Sequence, residues 1–395
     1  MHTDPTTYRL DKPGKTGTIA LLAGLLGMVL CALAYAVDAE RFFHAYLVAF
    51  AFWLAIGLGA LFFVMLHHLT GAVWSVVIRR IAESLMTPLP LMAVFFVPIL
   101  FGSRSLFPWL RPEPLAADSI LQGNKAYLTL IFFLARASLY FAIWFLLTRS
   151  LWRASLQQDA GHTLDLIRRF RRISAVGMIL LTFTATFATI DWLMSLDPHW
   201  YSTVFGVYYG AGAMLAAVVV LTVLALYLRT QEVLRQEITV EHYHDLGKLM
   251  FAFMILWAYM SFSQYFLIWY ANIPEETEWF KHRWTGIWKP LSLIVVVGHF
   301  GIPFLALMSR PAKRNLAVLA FFSLWLLLMR WLDLYWIVMP TLETESSSVS
   351  WIDIPPMLAI GGIFVWFAWR QFAAHPVVPV GDPNLAASKQ FINVY

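Results

Sequence analysis

The feature of this sequence that most limits its fold is a series of ten long apolar stretches. Each has about 18 to 27 residues, enough for a helix at 1.5 Å per residue to cross roughly 30 Å of hydrocarbon. Only 13% of the 395 residues are charged, whereas a soluble domain is typically about 25% charged. The sequence therefore predicts an all-α polytopic membrane protein, a single integral membrane domain over residues 1–395. The predicted spans lie near 17–37, 44–66, 88–107, 126–148, 173–194, 202–228, 247–271, 286–308, 315–339 and 355–372.

Basic residues are unevenly distributed between the two sets of connecting segments. The terminal segments and alternate loops carry nineteen Lys and Arg residues and the opposite loops carry seven, while Arg136 and Arg330 lie within spans. Because loops rich in Lys and Arg stay in the cytoplasm, we expect both termini to be cytoplasmic. The net charge of +5 follows from this pattern and gives no indication of nucleic-acid binding. The basic stretch 149–172 is expected to lie on the cytoplasmic surface as an amphipathic segment, either a topology anchor or a site for lipid headgroups or a partner.

The first apolar run is predicted to be a retained span. It is too long for the apolar region of a signal peptide and has no A-x-A-like cleavage site. It contains Cys31, the single cysteine of the chain. An iron–sulfur cluster uses about four thiolates, so neither a cluster nor an internal disulfide is expected, and Cys31 is interpreted as a small buried apolar residue.

Histidine placement gives an expectation for haem. A b-type haem in a helical bundle needs axial histidines inside spans. Only His299 lies near the middle of a predicted span, and His67 and His68 lie at a cytoplasmic end. We therefore expect no haem or other metal in this chain, and any redox centres that work with it are expected in partner subunits.

A polar turn separates the fifth and sixth predicted spans, within TFTATFATIDWLMSLDPHWYSTVFGVYYGAG at 182–212. Asp191 lies near the end of the first helix, with no obvious cation nearby in the sequence. Asp197-Pro198 ends that helix, because the residue before proline disfavours helical geometry. A charged group in the membrane costs roughly 2.5–3.5 kcal/mol and is a functional-site hypothesis by default. The turn 197–200 is expected at the surface beside the loop 272–285.

This stretch carries a family resemblance. DWLMSLDPHWYSTVFGVYYGAG, together with LIWYANIPEETEWFKHRW at 267–284, resembles the ActF-type membrane subunits of alternative complex III. That complex is a bacterial quinol:cytochrome c (or other periplasmic acceptor) oxidoreductase. Its membrane subunits belong to the NrfD-like, polysulfide-reductase membrane-subunit family. The two quoted stretches are the specific part of the resemblance, which otherwise extends over the whole chain in helix number and order.

The resemblance implies both a fold and a set of partners. The fold is a pair of four-helix bundles plus two flanking helices. The expected partners are a sibling NrfD-like membrane subunit, small membrane subunits, lipids, and periplasmic subunits that hold iron–sulfur clusters and c-type haems. The location is the bacterial inner membrane, and the substrate is quinone or menaquinone in its reduced form. For this subunit the resemblance implies either a second quinone-binding site or a proton-conducting role.

Polar groups within the predicted spans are the candidates for a proton path or a quinone-related site. Arg330 and Asp333 are three residues apart, so they share a helix face and can pair. We expect them in the periplasmic half of the membrane with Asp191 and Gln264 as neighbours, and Arg136 nearer the centre. The pair is either a structural clasp or part of the functional site. The full set is Asp191, Gln264, His299, Arg330, Asp333, Arg136, Tyr208, Tyr209, His67 and His68.

The leading functional hypothesis is a non-metal subunit of a quinol-oxidising complex that is not catalytic alone. It carries a proton pathway, a quinone-related site or both, and scaffolds the periplasmic redox subunits. A purely structural anchor is the first alternative. A secondary transporter is disfavoured, because Pro98, Pro303 and Pro340 do not fall in matched halves of the chain. The outer loops 103–125, 272–285 and 341–353 suit either docking to a periplasmic partner or a simple role as solvated connectors between spans.

The charge pattern predicts that the loop 341–353 is periplasmic. In a Cys31→Ala background, Ser350→Cys should react with a membrane-impermeant maleimide added outside the inner membrane, and Arg235→Cys should not. Labelling in the opposite pattern would show that both termini are periplasmic and would reverse every assignment of depth made above.

Overall fold

The computed structural model describes residues 8–10, 14–111, 119–161, 164–342 and 349–393. Across these ranges the regular secondary structure is helical, with no strand. Ten of the described helices are long and apolar enough to cross a membrane. The protein is therefore an all-α polytopic membrane protein, and this prediction is confirmed. Parts of the predicted loops 103–125 and 341–353, and most of the segment before the first span, lie outside the described residues.

We number the ten spanning helices in chain order. They are α1 (Thr16–Val37), α2 (Ala39–Thr70), α3 (Val76–Phe101), α4 (Leu130–Ala160), α5 (Leu164–Trp192), α6 (Phe205–Thr230), α7 (Val240–Ala271), α8 (Trp288–Leu307), α9 (Leu316–Val338) and α10 (Pro355–Ala374).

Helix α2 lies at the centre of the molecule. In its most apolar segment 89% of the residues are buried within the protein, whereas the corresponding figure for α1 is 17%. Helix α2 packs against α3, α5, α6, α9 and α10. Its sequence is apolar on all sides, and such a helix is buried either by lipid or by other helices. Here the other helices enclose it, so it connects both halves of the fold.

The helices group into two bundles and a flanking pair, as the family resemblance implies. One four-helix bundle is formed by α2 to α5, each in contact with the next, and α5 closes onto α2. The second is formed by α6 to α9, with α9 closing onto α6. The two bundles meet mainly where α2 packs along α6 and α9. Helices α1 and α10 pack together along their length as a flanking pair, with α10 resting on α2 and α3.

Three predicted boundaries differ from the structure by more than the others. Helix α3 begins at Val76 rather than near 88 and is broken at Pro88 and Pro98, because proline removes a backbone donor and clashes with the preceding turn. The sequence pattern missed its first turns because they contain buried charges. Helix α4 continues to Ala160 and α5 begins at Leu164. The described residues of the basic stretch 149–172 therefore belong mainly to the ends of two long helices rather than to a segment lying on the membrane surface.

The chain ends meet on one face of the bundle. Residues 375–393, here called the C-terminal strap, cross this face. The Val377 amide donates to the Tyr8 carbonyl at 2.8 Å, and the Ser388 hydroxyl donates to the Trp74 carbonyl at 2.9 Å. His242 contacts the Ser388 carbonyl at 3.0 Å. We call this side the terminal face and the opposite side the far face.

The far face brings together the two loops that carry the quoted motifs. Trp200 stacks on Trp279 with ring centroids 4.2 Å apart and an interplanar angle of 11°. Arg283 lies buried beside them, 3.4 Å from the Trp279 ring, and donates to the Ile337 carbonyl at 2.7 Å. The prediction that the turn 197–200 lies beside the loop 272–285 is confirmed.

Close packing of α1 on α10 gives a test of this arrangement. A Cβ atom at Gly27 would lie 2.7 Å from the Cα of Ala359, whereas one at Gly210 would meet nothing within 4 Å. Gly27→Ala is therefore expected to destabilise the protein by about 2 kcal/mol through overpacking. Gly210→Ala, the matched control, should leave stability unchanged. Unfolding in mixed micelles measures both. Equal stabilities would show that α1 does not pack on α10 as described.

Candidate functional site

The core of the second bundle contains a buried ion pair. Arg330 and Asp333 on α9 are both fully buried, with Nη1 of the arginine 2.6 Å from Oδ2 of the carboxylate. Tyr208 on α6 donates its hydroxyl to the other carboxylate oxygen. Trp257 on α7 donates from Nε1 to Oδ2 at 3.3 Å. We call this set the Asp333 cluster. The predicted pairing of Arg330 with Asp333 is present, with two donors added from neighbouring helices.

Arg330 is enclosed by helix α6. Its guanidinium lies 5.0 Å from the Tyr209 ring centroid, and Nη2 donates to the Tyr209 carbonyl at 3.4 Å. A Cβ at Gly212 would lie 2.5 Å from its Cζ atom, so glycine is needed there. The Nε atom is buried without a hydrogen-bond partner among the described residues. The guanidinium is therefore tightly confined but not fully satisfied.

His299 adjoins the cluster through Trp257. The two rings are stacked with centroids 3.9 Å apart. His299 is fully buried, and neither ring nitrogen has a hydrogen-bond partner within the described part of the chain. It lies in a π-helical segment, Val295–Gly301, where Trp325 donates to the Gly298 carbonyl at 2.7 Å. Wide turns of this kind often occur at functional sites. A buried imidazole without a hydrogen-bond partner costs free energy of folding, so His299 is a candidate functional group.

Gln264 lies on α7, two turns beyond Trp257. It is 5% exposed, and its Oε1 atom has no hydrogen-bond partner in the described ranges. It makes no hydrogen bond to Arg330 or Asp333. The sequence placed it correctly inside the protein, but the expected polar contact with the ion pair is absent.

Asp191 belongs to a separate cluster in the first bundle. Arg136 on α4 contacts both carboxylate oxygens, at 2.8 Å and 2.9 Å. Tyr127 and Tyr140 donate their hydroxyls to the same carboxylate at 2.9 Å and 2.8 Å. Arg136 is the cation that pairs with Asp191, and it is not a neighbour in the sequence because it lies 55 positions earlier. No hydrogen bond joins it to Arg330 or Asp333.

Arg136 also lies at a different depth from the one expected. Because α4 begins at Leu130 and continues to Ala160, Arg136 is in its second turn, towards the far face, rather than at mid-span. Its guanidinium lies 3.8 Å from the Tyr127 ring centroid. The carboxylate of Asp191 receives four donors from three side chains, so this cluster has the properties of a saturated clasp between α4 and α5.

His67 and His68 lie at the end of α2 on the terminal face. His67 Nδ1 contacts the Phe63 carbonyl at 2.7 Å, and His68 stacks on Phe170 with centroids 4.2 Å apart. Near them, Arg79 pairs with Asp382 of the C-terminal strap at 2.6 Å. These groups lie at the opposite end of the bundle from the Asp333 cluster, and the sequence prediction of a separate position at a helix end is confirmed.

Several buried charges escaped the sequence argument. Glu83 on α3 lies 3.3 Å from Arg79 and 3.2 Å from Arg80. Arg41 on α2 pairs with Asp353 at 2.8 Å. Arg79 and Arg80 were counted as loop charges because the start of α3 was missed. A signal was present: Arg79, Arg80 and Glu83 fall at helical spacings that permit pairing.

Cavities give further information on what can bind. A cavity of about 120 Å³ lies between α2, α5 and α6, lined mainly by apolar groups with Tyr209 and Thr186 at its wall. Ligand pockets usually have about 300–1,000 Å³. A larger cavity, about 730 Å³, lies on the terminal face around Tyr227 and Trp369. It is remote from the Asp333 cluster.

No family model matches the chain, and no curated protein matches it. Among the described residues, no group of three or more His, Cys, Asp or Glu side chains is placed to hold a metal ion. The fold and site therefore define a class only: a multi-pass α-helical membrane protein with ion pairs buried in both bundles.

The saturated Asp191 clasp leads to a stability prediction. Asp191→Leu would leave Arg136 buried without its anion, and removing one partner of a buried pair costs about 3–5 kcal/mol. The double variant Arg136→Met/Asp191→Leu should recover most of that loss, because two apolar side chains can replace a buried pair. Unfolding in mixed micelles measures each variant. A double variant as unstable as the single one would show that the clasp has a role beyond mutual neutralisation.

Proposed function

We propose that this chain is an integral membrane subunit of a quinol-oxidising electron-transfer complex of the alternative complex III type. Its place is the bacterial inner membrane, with both termini in the cytoplasm and the far face towards the periplasm. In this proposal the chain conducts protons through the Asp333 cluster and scaffolds partner subunits. The family resemblance of the two far-face loops and the multi-pass helical character support the assignment.

The observation that carries the proton-conducting role is the buried set of titratable groups around Asp333. A carboxylate, a phenol and a guanidinium meet at one point without exposure, and an unpartnered imidazole, His299, lies one ring away. Ionisable groups inside membrane bundles commonly mark ion or proton pathways. Groups already saturated, such as Asp191, have no open site for an exchanging proton.

The chemistry of quinol oxidation requires such groups. Oxidation of a quinol releases two electrons and two protons, and the electrons pass to metal centres that would be held by iron–sulfur and c-haem subunits. The membrane subunit supplies acceptors for protons. Asp333 can accept a proton and become neutral, which leaves the positive charge of Arg330 in the cluster and favours release of that proton again. Tyr208 can pass a proton through its hydroxyl. His299 offers a further acceptor nitrogen in the same core.

Two features favour proton conduction over a quinone site in this subunit. The apolar cavity beside Tyr209 has only about 120 Å³, which is below the usual size of a ligand pocket. No cavity described above opens onto Asp333. The proposal therefore assigns quinone binding to the sibling membrane subunit. It assigns docking of the periplasmic redox subunits to the far face, where Trp200, Trp279 and Arg283 pack together.

A structural anchor is the second candidate function. The observation that favours it is the saturated Asp191 cluster, because its contacts hold α4 and α5 together without leaving a free polar group on the carboxylate. If the Asp333 cluster were also only a clasp, the chain would serve to hold redox subunits at the membrane. The two candidates differ in what happens when the charges of Asp333 and Arg330 are removed together.

The decisive experiment uses the assembled complex with the double variant Arg330→Leu/Asp333→Leu. A proton path requires these charges, so the complex should assemble with at least a tenfold loss of quinol oxidation or proton release, corresponding to about 1.4 kcal/mol or more. Quinol-dependent reduction of the acceptor and the change in external pH are the measurements. Tyr208→Phe should also reduce proton release, because it removes the hydroxyl group and keeps the ring in place.

The matched control is Arg41→Leu/Asp353→Leu, which removes a buried ion pair outside the cluster. It should assemble and retain activity. Full activity in the Arg330/Asp333 double variant would eliminate the proton-path role and leave the anchor. Failure of the chain to co-purify with any metal-containing subunit would eliminate the complex itself.

A further inference from the structure

The ends of α4 and α5 on the terminal face carry a row of arginines along the line where the two helices meet. On α4 these are Arg149 and Arg153, and on α5 they are Arg169 and Arg172. All four residues are exposed. We call this set the arginine seam.

A hydrogen bond between the two helices places the arginine seam on one surface. Arg169 Nη1 donates to Oε1 of Gln157 at 3.1 Å. Residues three or four apart share a helix face, so Arg153 and Arg149 follow Gln157 down the same side of α4. Arg172 follows Arg169 in the same direction on α5, because the two helices are antiparallel and in contact. At 1.5 Å per residue the seam is about 12 Å tall, from the level of Arg149 to that of Gln157.

The arginine seam adjoins the side chains that face the hydrocarbon. Leu146, one turn from Arg149 towards the far face, is 58% exposed, and Val176, one turn from Arg172, is 56% exposed. Exposed apolar side chains on a spanning helix contact lipid tails. The Arg149 guanidinium lies 5.6 Å from the Phe145 ring centroid, so the side chain covers apolar surface, as basic side chains at the membrane interface do. The seam therefore begins at the level of the phospholipid headgroups, a layer of roughly 5–8 Å on each side of the hydrocarbon.

The charge of the arginine seam is not neutralised within the described part of the chain. Arg169 donates to the neutral Gln157, and the other three members have no hydrogen-bond or ion-pair partner there. The neighbouring charges balance one another. Arg168 pairs with Asp165 at 3.4 Å, and the adjacent network has three carboxylates for three arginines: Glu83, Asp159 and Asp382 with Arg79, Arg80 and Arg171. The positive charge of the seam is left without a counter-charge among these residues.

We infer that the arginine seam binds the headgroups of anionic phospholipids. Charge complementarity carries this inference, since basic clusters next to spanning helices attract anionic lipids and the paired donors of a guanidinium match the oxygens of a phosphate. Basic residues that only fix topology need to lie near the ends of spans. That role does not require them to be collected on one surface at headgroup level. The inference does not depend on the proposed role in quinol oxidation.

The experiment uses the full chain purified in an uncharged maltoside detergent. Phosphatidylglycerol and phosphatidylcholine with the same acyl chains are added separately, and native mass spectrometry counts the lipid retained by each protein molecule. The unmodified chain should retain phosphatidylglycerol in preference to phosphatidylcholine. Arg153→Gln/Arg172→Gln should bind phosphatidylglycerol roughly 25-fold more weakly, because each basic residue at an anionic surface contributes about fivefold.

The matched control is Arg310→Gln/Arg370→Gln, which removes two exposed arginines of the terminal face from other helices. It has the same net charge as the seam variant and should retain phosphatidylglycerol as the unmodified chain does. Equal retention of the two lipids by the unmodified chain would overturn the inference. So would unchanged phosphatidylglycerol binding in the seam variant, or an equal loss in the control.

Discussion

Charges buried in an apolar interior must be neutralised within the protein, because lipid offers no hydrogen bonds and little dielectric screening. Each of the five buried carboxylates in the described residues has a basic partner: Glu83, Asp191, Asp245, Asp333 and Asp353. Three of these pairs lie within one helix, and two, Arg136–Asp191 and Arg41–Asp353, join different parts of the chain. The latter two pairs constrain which parts can be neighbours, and apolar packing around α2 then fills the space between the helices.

The sequence predicts contacts that are local and misses those that depend on the tertiary fold. Arg330 and Asp333 were predicted as a pair because one helical turn separates them, and the periodicity of a helix is known before the fold is. Arg136 and Asp191 could not be paired in this way, since they lie on two helices whose relative register is set by packing. The ten apolar runs could be identified because a helix that crosses a membrane must be long and hydrophobic. The start of α3 could not, because its charged residues, which pair within the helix, give it the composition of a loop.

The Asp191 and Asp333 clusters differ in how far their hydrogen bonds can rearrange. Around Asp191 every carboxylate oxygen is engaged by well-placed donors, so any rearrangement would break strong contacts. Around Asp333 the carboxylate is engaged, but the neighbouring Arg330 Nε and both nitrogens of His299 have no hydrogen-bond partner among the described residues. Unpaired groups beside a paired one permit alternative hydrogen-bond patterns of similar energy, and the irregular turn in α8 reduces the cost of small backbone shifts.

The pairing of α1 with α10 has a consequence for how the chain is made. Gly24 on α1 approaches Gly362 on α10 so closely that a Cβ on the latter would lie 2.5 Å from the Cα of the former. Synthesis proceeds at roughly 5–20 residues per second, so tens of seconds separate the emergence of the two helices from the ribosome. During that interval α1 has lipid, or a chaperone, in place of its final neighbour. A ribosome stalled before α10 would therefore leave α1 without this neighbour, although all eight helices of the two bundles have already been synthesised.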